Sequence, residues 1–275
     1  MKAFFIAVLS VREVDIMTTV SIINVTSYTG SELLRLLSQH PDFVVTSVTG
    51  RSSAGKRLEE VFPHLCATLP VGGTTTQAVD PELVIVEEAA QTDLAFVCLP
   101  HAAAAESVVK LLQRGTKVVD LSADFRLHDV ATYEEWYKHT HPAPALLETA
   151  VYGLCERYRE QVSHASLVAN PGCHASTAIL ALIPAFAAGI VESGVIIDSK
   201  TGVSGAGRSP SLGNHFPEAN EDASAYGLSG HRHLPEITQE IEAAATAGNH
   251  PLQESLRVYF FPHPFPINRG ILSTS

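Results

Sequence analysis

Positive charge is scarce in this chain. Lysine and arginine number 18 against 29 aspartates and glutamates, a formal net charge of −11 over 275 residues. Such a surface disfavours nucleic acid and anionic membranes as partners, so an anionic ligand must be met by a local basic pocket. Cysteine is sparse too: Cys66, Cys98, Cys155 and Cys173 show neither C-x-x-C nor Cys/His ligand spacing. That argues against a disulfide framework or a structural zinc site, and points to a reducing, cytoplasmic compartment. Long hydrophobic runs are missing. The run AFFIAVL at residues 3–9 is short, is followed by the charged VREVDIM and lacks an A-x-A cleavage pattern, so residues 1–16 read as a dispensable extension. Repeats and low-complexity tracts are absent. What is present is 45% hydrophobic and 17% charged residues, the composition of a folded chain with a substantial core.

From Met17 the pattern runs strand, loop, helix, strand: TVSIIN, VTSYTG, SELLRLLSQH and FVVTSVTG. Leu33, Leu34, Leu36 and Leu37 form the apolar stripe of the helix. LAFVCLP, with Cys98 expected in the core, precedes the Ala-rich helix HAAAAESVVKLLQRG, and KVVDLS follows as a strand. This alternation predicts an α/β fold with a doubly wound parallel sheet. Residues from about Thr132 to Glu160 read as irregular and aromatic. The later chain reads as α+β, with VIIDSK as a strand, a glycine-rich loop, LPEITQEIEAAAT as a helix and LRVYFFPH as a strand. A boundary near residue 165 divides the chain into 17–165 and 166–275.

Cys173 lies in ANPGCHAST, between a short apolar strand and a helix expected over Ala175–Ile190. Pro171 and Gly172 supply the turn. At the positive end of a helix the thiolate is favoured, although a small buried cysteine packs equally well as a hydrophobe. A second turn, Asn24-Val25-Thr26-Ser27-Tyr28-Thr29-Gly30, has the place of a dinucleotide loop but keeps only Gly30 at the expected spacing. It reads either as a cofactor loop or as an ordinary strand–turn–helix. After the next strand comes Gly50-Arg51-Ser52-Ser53 rather than an acid. That cationic, hydroxyl-rich turn suits a 2′-phosphate and predicts NADP over NAD, unless Arg51 is merely a solvated charge. The segment Lys200-Thr201-Gly202-Val203-Ser204-Gly205-Ala206-Gly207-Arg208 reads as an anion-binding loop or as a flexible hairpin. His231 and His233 flank Arg232 before a helix. They lack a third ligand nearby, so no metal is expected, and proton transfer is the better role.

Taken in order, YTGSELLRLL, TGRSSAGKRL, DLSADFRL, YEEWY, AVYGL, NPGC, DSKTGVSGAGR, HRHLPEI and NRGILST resemble the N-acetyl-gamma-glutamyl-phosphate reductase family of arginine biosynthesis. The resemblance implies a Rossmann-type NADP domain at 17–165 and an α+β dehydrogenase-type domain at 166–275 that carries catalysis and homo-oligomerisation, as a dimer or tetramer. It implies Cys173 as nucleophile on an acyl phosphate, with inorganic phosphate as product, and His231 as the acid/base of near-neutral pKa, His233 being second choice. Lys200, Ser204, Arg208, Arg232 and His233 would meet substrate and phosphate. Thr26, Ser27, Tyr28, Thr29, Gly30, Arg51, Ser52, Ser53, Pro100, Gly205 and Gly207 would hold the cofactor. Asn24 and Ser27 replace family glycines, and His174 and Ser176 stand where an aromatic residue and a threonine are usual. Ser27 is expected to weaken cofactor binding, and His174 to help stabilise the Cys173 thiolate. The family continues some seventy residues further, so ILSTS is expected to end on a strand with nothing to pair after it. The alternatives are a truncated, non-catalytic remnant, a sister reductase acting on an aminoadipyl or aspartyl phosphate, and, less fittingly, a cysteine hydrolase.

Overall fold

The structure, a computed structural model, describes residues 17–66, 80–191 and 193–275. The expected extension at 1–16 lies outside the described residues. Strand β1 (Thr18–Ile23), helix α1 (Tyr28–Leu37) and β2 (Phe43–Thr49) form the first strand–helix–strand unit of the chain, followed by two short helical turns, α2 (Leu58–Val61) and α3 (Pro63–Cys66). Then come β3 (Ile85–Val86), β4 (Leu94–Val97), α4 (Ala105–Gln113), β5 (Lys117–Asp120), α5 (Val130–Tyr137), β6 (Val151–Tyr152), α6 (Cys155–His164) and β7 (Leu167–Ala169). These strands make one seven-stranded sheet in the order β3-β2-β1-β4-β5-β7-β6, and each pairing is parallel. Its centre is covered on both faces, which is why Val20, Ser21 and Ile22 are all fully buried rather than alternating. The order reverses between β1 and β4. Parallel sheets open a ligand crevice at such a point, beyond the strands' carboxyl ends.

The rest of the chain, α7 (Cys173–Ala187), β8 (Val195–Gly202), α8 (Phe216–Ala219), α9 (Leu234–Ala247), β9 (Val258–Phe265) and β10 (Ile271–Thr274), builds a second layer. Its sheet has the order β10-β8-β9, with β8 parallel to β9 and antiparallel to β10. The last strand, β10, pairs with β8 and forms an edge of this sheet among the described residues. Helices α7 and α9 cover one face through Ile179, Leu182, Phe186, Ile237 and Ile241, packed on Ile197 and Phe260. The other face leaves Ile196, Tyr259 and Leu272 exposed.

Several boundaries differ from those expected. The segment read as irregular contains α5, β6 and α6. α5 is short, and it is defined by local capping: Asp129 accepts the Thr132 N–H at 2.8 Å, and Lys138 ends the helix at φ 53°. α4 begins only at Ala105, because Asp124 from the β5–α5 connection accepts the N–H groups of Ala102, Ala104 and Ala105. β8 runs through Thr201 and Gly202, two residues past the expected strand VIIDSK and so into the presumed loop. α7 starts at Cys173 itself and ends at Ala187.

Candidate active site

Cys173 is the first helical residue of α7, with Gly172 as its N-cap in extended conformation. The peptide before it is held from two other segments. Glu236, on α9, accepts the Gly172 N–H and the Tyr152 hydroxyl, each at 2.7 Å. Arg126 donates from Nε to Asn170 O at 2.7 Å and from Nη2 to Leu121 O at 2.9 Å, leaving Nη1 3.6 Å from Glu236 Oε2. Both side chains are buried, and Arg126 Nη1, Glu236 Oε2 and His233 Nδ1 have no hydrogen-bond partner among the described residues. A Cβ on Gly172 would lie 2.6 Å from His233 Nε2, 2.8 Å from Arg126 Nη1 and 2.9 Å from Glu236 Oε2. Only glycine fits there.

The sulphur opens onto a cavity of about 1320 Å³ that also receives His231, Arg232, His233, His174 and Tyr226. The thiol is exposed to this cavity, yet the surrounding protein still disfavours its charged form: desolvation raises the Cys173 thiol above its ordinary range, against the opposing backbone N–H of His174 and charge of Arg126. Desolvation therefore outweighs the expected helix-end stabilisation. The same cause brings His231 down to about 4 and His233 well below its usual value, not to the near-neutral range expected. Both are neutral bases at pH 7. His174 is neutral as well, at about 4, so its ring supplies no positive charge to the thiolate; its backbone N–H does that work.

At the far end the cavity reaches Asn24, Thr26, Ser27 and Thr29 on the loop before α1, together with Ser52, Ser53 and Pro100. Asn24 takes φ 65°, a conformation asparagine tolerates where the family uses glycine. Its amide donates to Cys98 O at 2.9 Å and its N–H to Thr49 Oγ1 at 3.0 Å, tying β1 to both neighbours. Ser27 turns its side chain into the loop, donating to Asn24 O and accepting the Gly30 N–H, each at 3.0 Å. It is a helix cap, so the hydroxyl does not obstruct the loop as expected. Gly30 serves close packing, since a Cβ would stand 2.5 Å from Asn24 O. The first-turn N–H groups of Tyr28 and Thr29 have no intrahelical acceptor and suit an anion. A dinucleotide fits this arrangement: the cavity is large enough, and it runs without a break from the α1 loop to Cys173.

Not every residue singled out from the sequence reaches the cavity. Lys200 does not. Along β8 the side chains alternate, Ser199 and Thr201 facing inward, so Lys200 lies on the outer face, donating to the Asp198 carboxylate. Asp198 also meets His263 Nδ1 at 3.3 Å. The 200–208 segment is not an open anion nest either. Its N–H groups at Gly202, Val203 and Ser204 bond to the carbonyls of Gly270, Ile267 and Asn268, and that of Gly207 to Ser204. Ser204 stands outside the wall, while Gly205, Gly207 and Arg208 line it. Arg208 Nη1 donates to Thr26 O at 2.9 Å, which places it at the cofactor loop rather than at the cysteine. Tyr28, Gly30 and the exposed Arg51 also stand outside the wall. Residues not singled out that do line it include Arg126, His101, Tyr137 and Tyr226. Among the described residues no group of three or more His, Cys, Asp or Glu is placed to hold a metal ion.

Two family models match the chain: "Semialdehyde dehydrogenase, NAD binding domain" over residues 19–165 and "Semialdehyde dehydrogenase, dimerisation domain" over residues 173–275. The fold is that of a semialdehyde dehydrogenase, an oxidoreductase that uses a nicotinamide cofactor and assembles with itself. Similar curated proteins are the N-acetyl-gamma-glutamyl-phosphate reductases of Dehalococcoides mccartyi, 49% identical over 92% of this chain and 69% of that protein, and of Pelotomaculum thermopropionicum, 46% identical over 93% and 70%. The chain belongs with them to the N-acetyl-gamma-glutamyl-phosphate reductase family. Among solved structures, aspartate semialdehyde dehydrogenase with NADP from Candida albicans superposes with a TM-score of 0.57 at 16% identity, covering 94% of this chain and 70% of that one. Aspartate semialdehyde dehydrogenase II from Vibrio cholerae gives 0.57 at 18%, over 94% and 73%. At such identities the likeness speaks for the fold alone.

Proposed function

We propose that this chain catalyses the NADPH-dependent reduction of N-acetyl-L-glutamyl 5-phosphate to N-acetyl-L-glutamate 5-semialdehyde and phosphate, a step of arginine biosynthesis. One observation carries the reading. A single cavity joins a cysteine at a helix N-terminus, four neutral histidines, three arginines and a loop suited to a dinucleotide. In this mechanism Cys173 gives up its proton and attacks the acyl carbon. The carbon–oxygen bond to phosphate breaks, its electron pair leaves with the phosphate, and a thioester remains on the sulphur. Arg232, on the cavity wall, meets the departing phosphate, and the buried Arg126 adds positive charge beside the cysteine turn. Hydride is what the reduced nicotinamide supplies when bound.

The proton at sulphur is assigned to His233 rather than to His231. His231 Nδ1 accepts the His233 backbone N–H at 3.1 Å, so its own proton resides on Nε2 and that nitrogen is a donor. His233 presents Nε2 against Gly172, next to the nucleophile. Negative charge arriving with the substrate raises the affinity of both rings for a proton.

Thr26, Ser27, Thr29, Ser52, Ser53, Pro100, Gly205 and Gly207 hold the cofactor in this reading, with NADP preferred through the Arg51 turn and through Arg208. Because β7 belongs to the parallel sheet, the boundary falls a few residues later than the expected 165: residues 17–169 form the cofactor domain and the chain from Cys173 to Ser275 the catalytic and oligomerisation domain. The exposed apolar face of the second sheet, with Ile196, Tyr259 and Leu272, suits the contact between copies in a dimer or tetramer. Among the described residues no helix is long and apolar enough to cross a membrane, and we place the enzyme in the cytoplasm.

The test is phosphate-dependent reduction of NADP⁺, and separately of NAD⁺, by the purified chain with N-acetylglutamate semialdehyde. Activity that prefers NADP⁺ and vanishes in Cys173→Ser is expected. A folded, cofactor-binding protein without activity would instead identify a non-catalytic member of the family.

A further inference from the structure

The ring of His174 takes no part in the steps above, yet its place in the wall is closely defined. It is 2% exposed. Nδ1 lies 2.7 Å from Ser199 Oγ and Nε2 lies 3.1 Å from Tyr226 Oη. The rings of His231, His233 and Phe260 surround it edge-on, at 5.8, 5.9 and 5.6 Å between centroids. No carboxylate is among these neighbours, so the imidazole is neutral, with one nitrogen donating and the other accepting.

Hydrogen-bond satisfaction decides which. Ser199 is fully buried, and among the described residues its hydroxyl has only His174 as a hydrogen-bond partner. The seryl hydrogen must therefore go to Nδ1, since otherwise it is buried without an acceptor. The imidazole proton then sits on Nε2 and points to the Tyr226 oxygen. With that lone pair engaged, the phenolic hydrogen of Tyr226 is left to donate elsewhere. Tyr226 lines the same cavity as Cys173, within electrostatic reach of both Cys173 and Arg232. Its backbone is fixed by Tyr226 N–H to Pro262 O at 3.1 Å.

We propose that His174 is a positioning residue: with Ser199 it fixes the Tyr226 hydroxyl as a hydrogen-bond donor to the oxygen that becomes negative when Cys173 attacks. The proposal rests on Cys173 being the nucleophile. It gives His174 a function through orientation rather than through charge.

Three variants of the full chain test it: His174→Phe, which keeps the ring and removes both bonds; His174→Gln, whose amide N–H replaces Nε2–H; and Tyr226→Phe. Phosphate-dependent oxidation of N-acetylglutamate semialdehyde is followed, with melting temperature and NADP⁺ affinity as controls. The expected result is a fall in kcat of about tenfold or more in His174→Phe and in Tyr226→Phe, with KM within about twofold, as for loss of a donor used only in the transition state. The double variant falls no further than either single one, and His174→Gln recovers most of the rate. Wild-type kcat in Tyr226→Phe overturns the proposal, and so do losses that multiply in the double variant. Because Tyr226 is partly exposed, its variant is decisive even if His174→Phe fails to fold. If Cys173→Ser retains activity, the underlying assignment of the nucleophile fails instead, whatever the relay variants do.

Discussion

Substituting alanine for Gly172 adds a methyl group where three segments of the chain converge. Gly172 has φ −67° and ψ 147°, angles that alanine adopts without strain, so the effect is one of space alone. The new Cβ would meet His233 Nε2 at 2.6 Å, Arg126 Nη1 at 2.8 Å and Glu236 Oε2 at 2.9 Å. Each must retreat by something on the order of half an ångström or more to regain ordinary contact. Two of the three are held in place. Arg126 is anchored by two hydrogen bonds to backbone carbonyls, and Glu236 by those from Gly172 and Tyr152. Overpacking a filled site costs about 1–3 kcal/mol, and stretching the charge-assisted Gly172–Glu236 bond adds up to about 1.5 kcal/mol. At roughly 2–4 °C per kcal/mol for a chain of this size, the melting temperature should drop by about 5–10 °C. Displacing the sulphur and the base relative to each other should also lower kcat by about a hundredfold. Differential scanning fluorimetry and steady-state kinetics read the two effects separately. A variant with unchanged melting temperature and kcat within twofold of the parent would refute the crowded turn described here.

Arg208→Ala tests the relocation of that residue to the cofactor loop. The affinity for NADP⁺ should weaken by about tenfold, as for loss of one charge-assisted contact, while KM for the semialdehyde stays the same; the opposite split would return Arg208 to the substrate. Stability should fall on mild acidification. His101, His174 and His231 drop to about 4 on folding, and His141 and His233 shift the same way. The unfolded chain therefore binds more protons than the folded one between about pH 6.5 and 4, and stability is lost as pH falls through that window. Asp120, raised to about 6 by burial, acts in the opposite sense and offsets one proton. Denaturant midpoints measured from pH 7 to 4.5 should decline with a net uptake of about two or more protons, reduced by about one in His174→Phe; a flat profile would contradict the burial of neutral imidazoles.

The parallel sheet was legible in the sequence because alternation of strand and helix periods is a local property. TVSIIN, SELLRLLSQH and FVVTSVTG each declare themselves within ten residues. Cys173 was legible for the same reason, since a strand, a Pro-Gly turn and an apolar helix adjoin it directly. Lys200 shows where local reading failed. Judged as part of a glycine-rich loop it looked mobile enough to reach an anion, but β8 continues to Gly202, and strand alternation then assigns Lys200 to the outer face. Arg126 and Glu236 illustrate a deeper limit. Both lie in motifs that the resemblance rests on, DLSADFRL and HRHLPEI, yet neither motif says what they do, because what gives them a role is their meeting at Gly172, 46 and 64 positions away in the chain. The same holds for Ser199, Tyr226 and His174, whose hydrogen bonds span 25 and 52 positions. A motif records which groups are adjacent along the backbone, whereas the protonation state of a buried ring depends on which groups surround it in space. His174 was therefore read from its neighbour Cys173 as a source of charge. Its true neighbours are a serine, a tyrosine and three aromatic rings, and they make it a neutral conduit for a hydrogen bond.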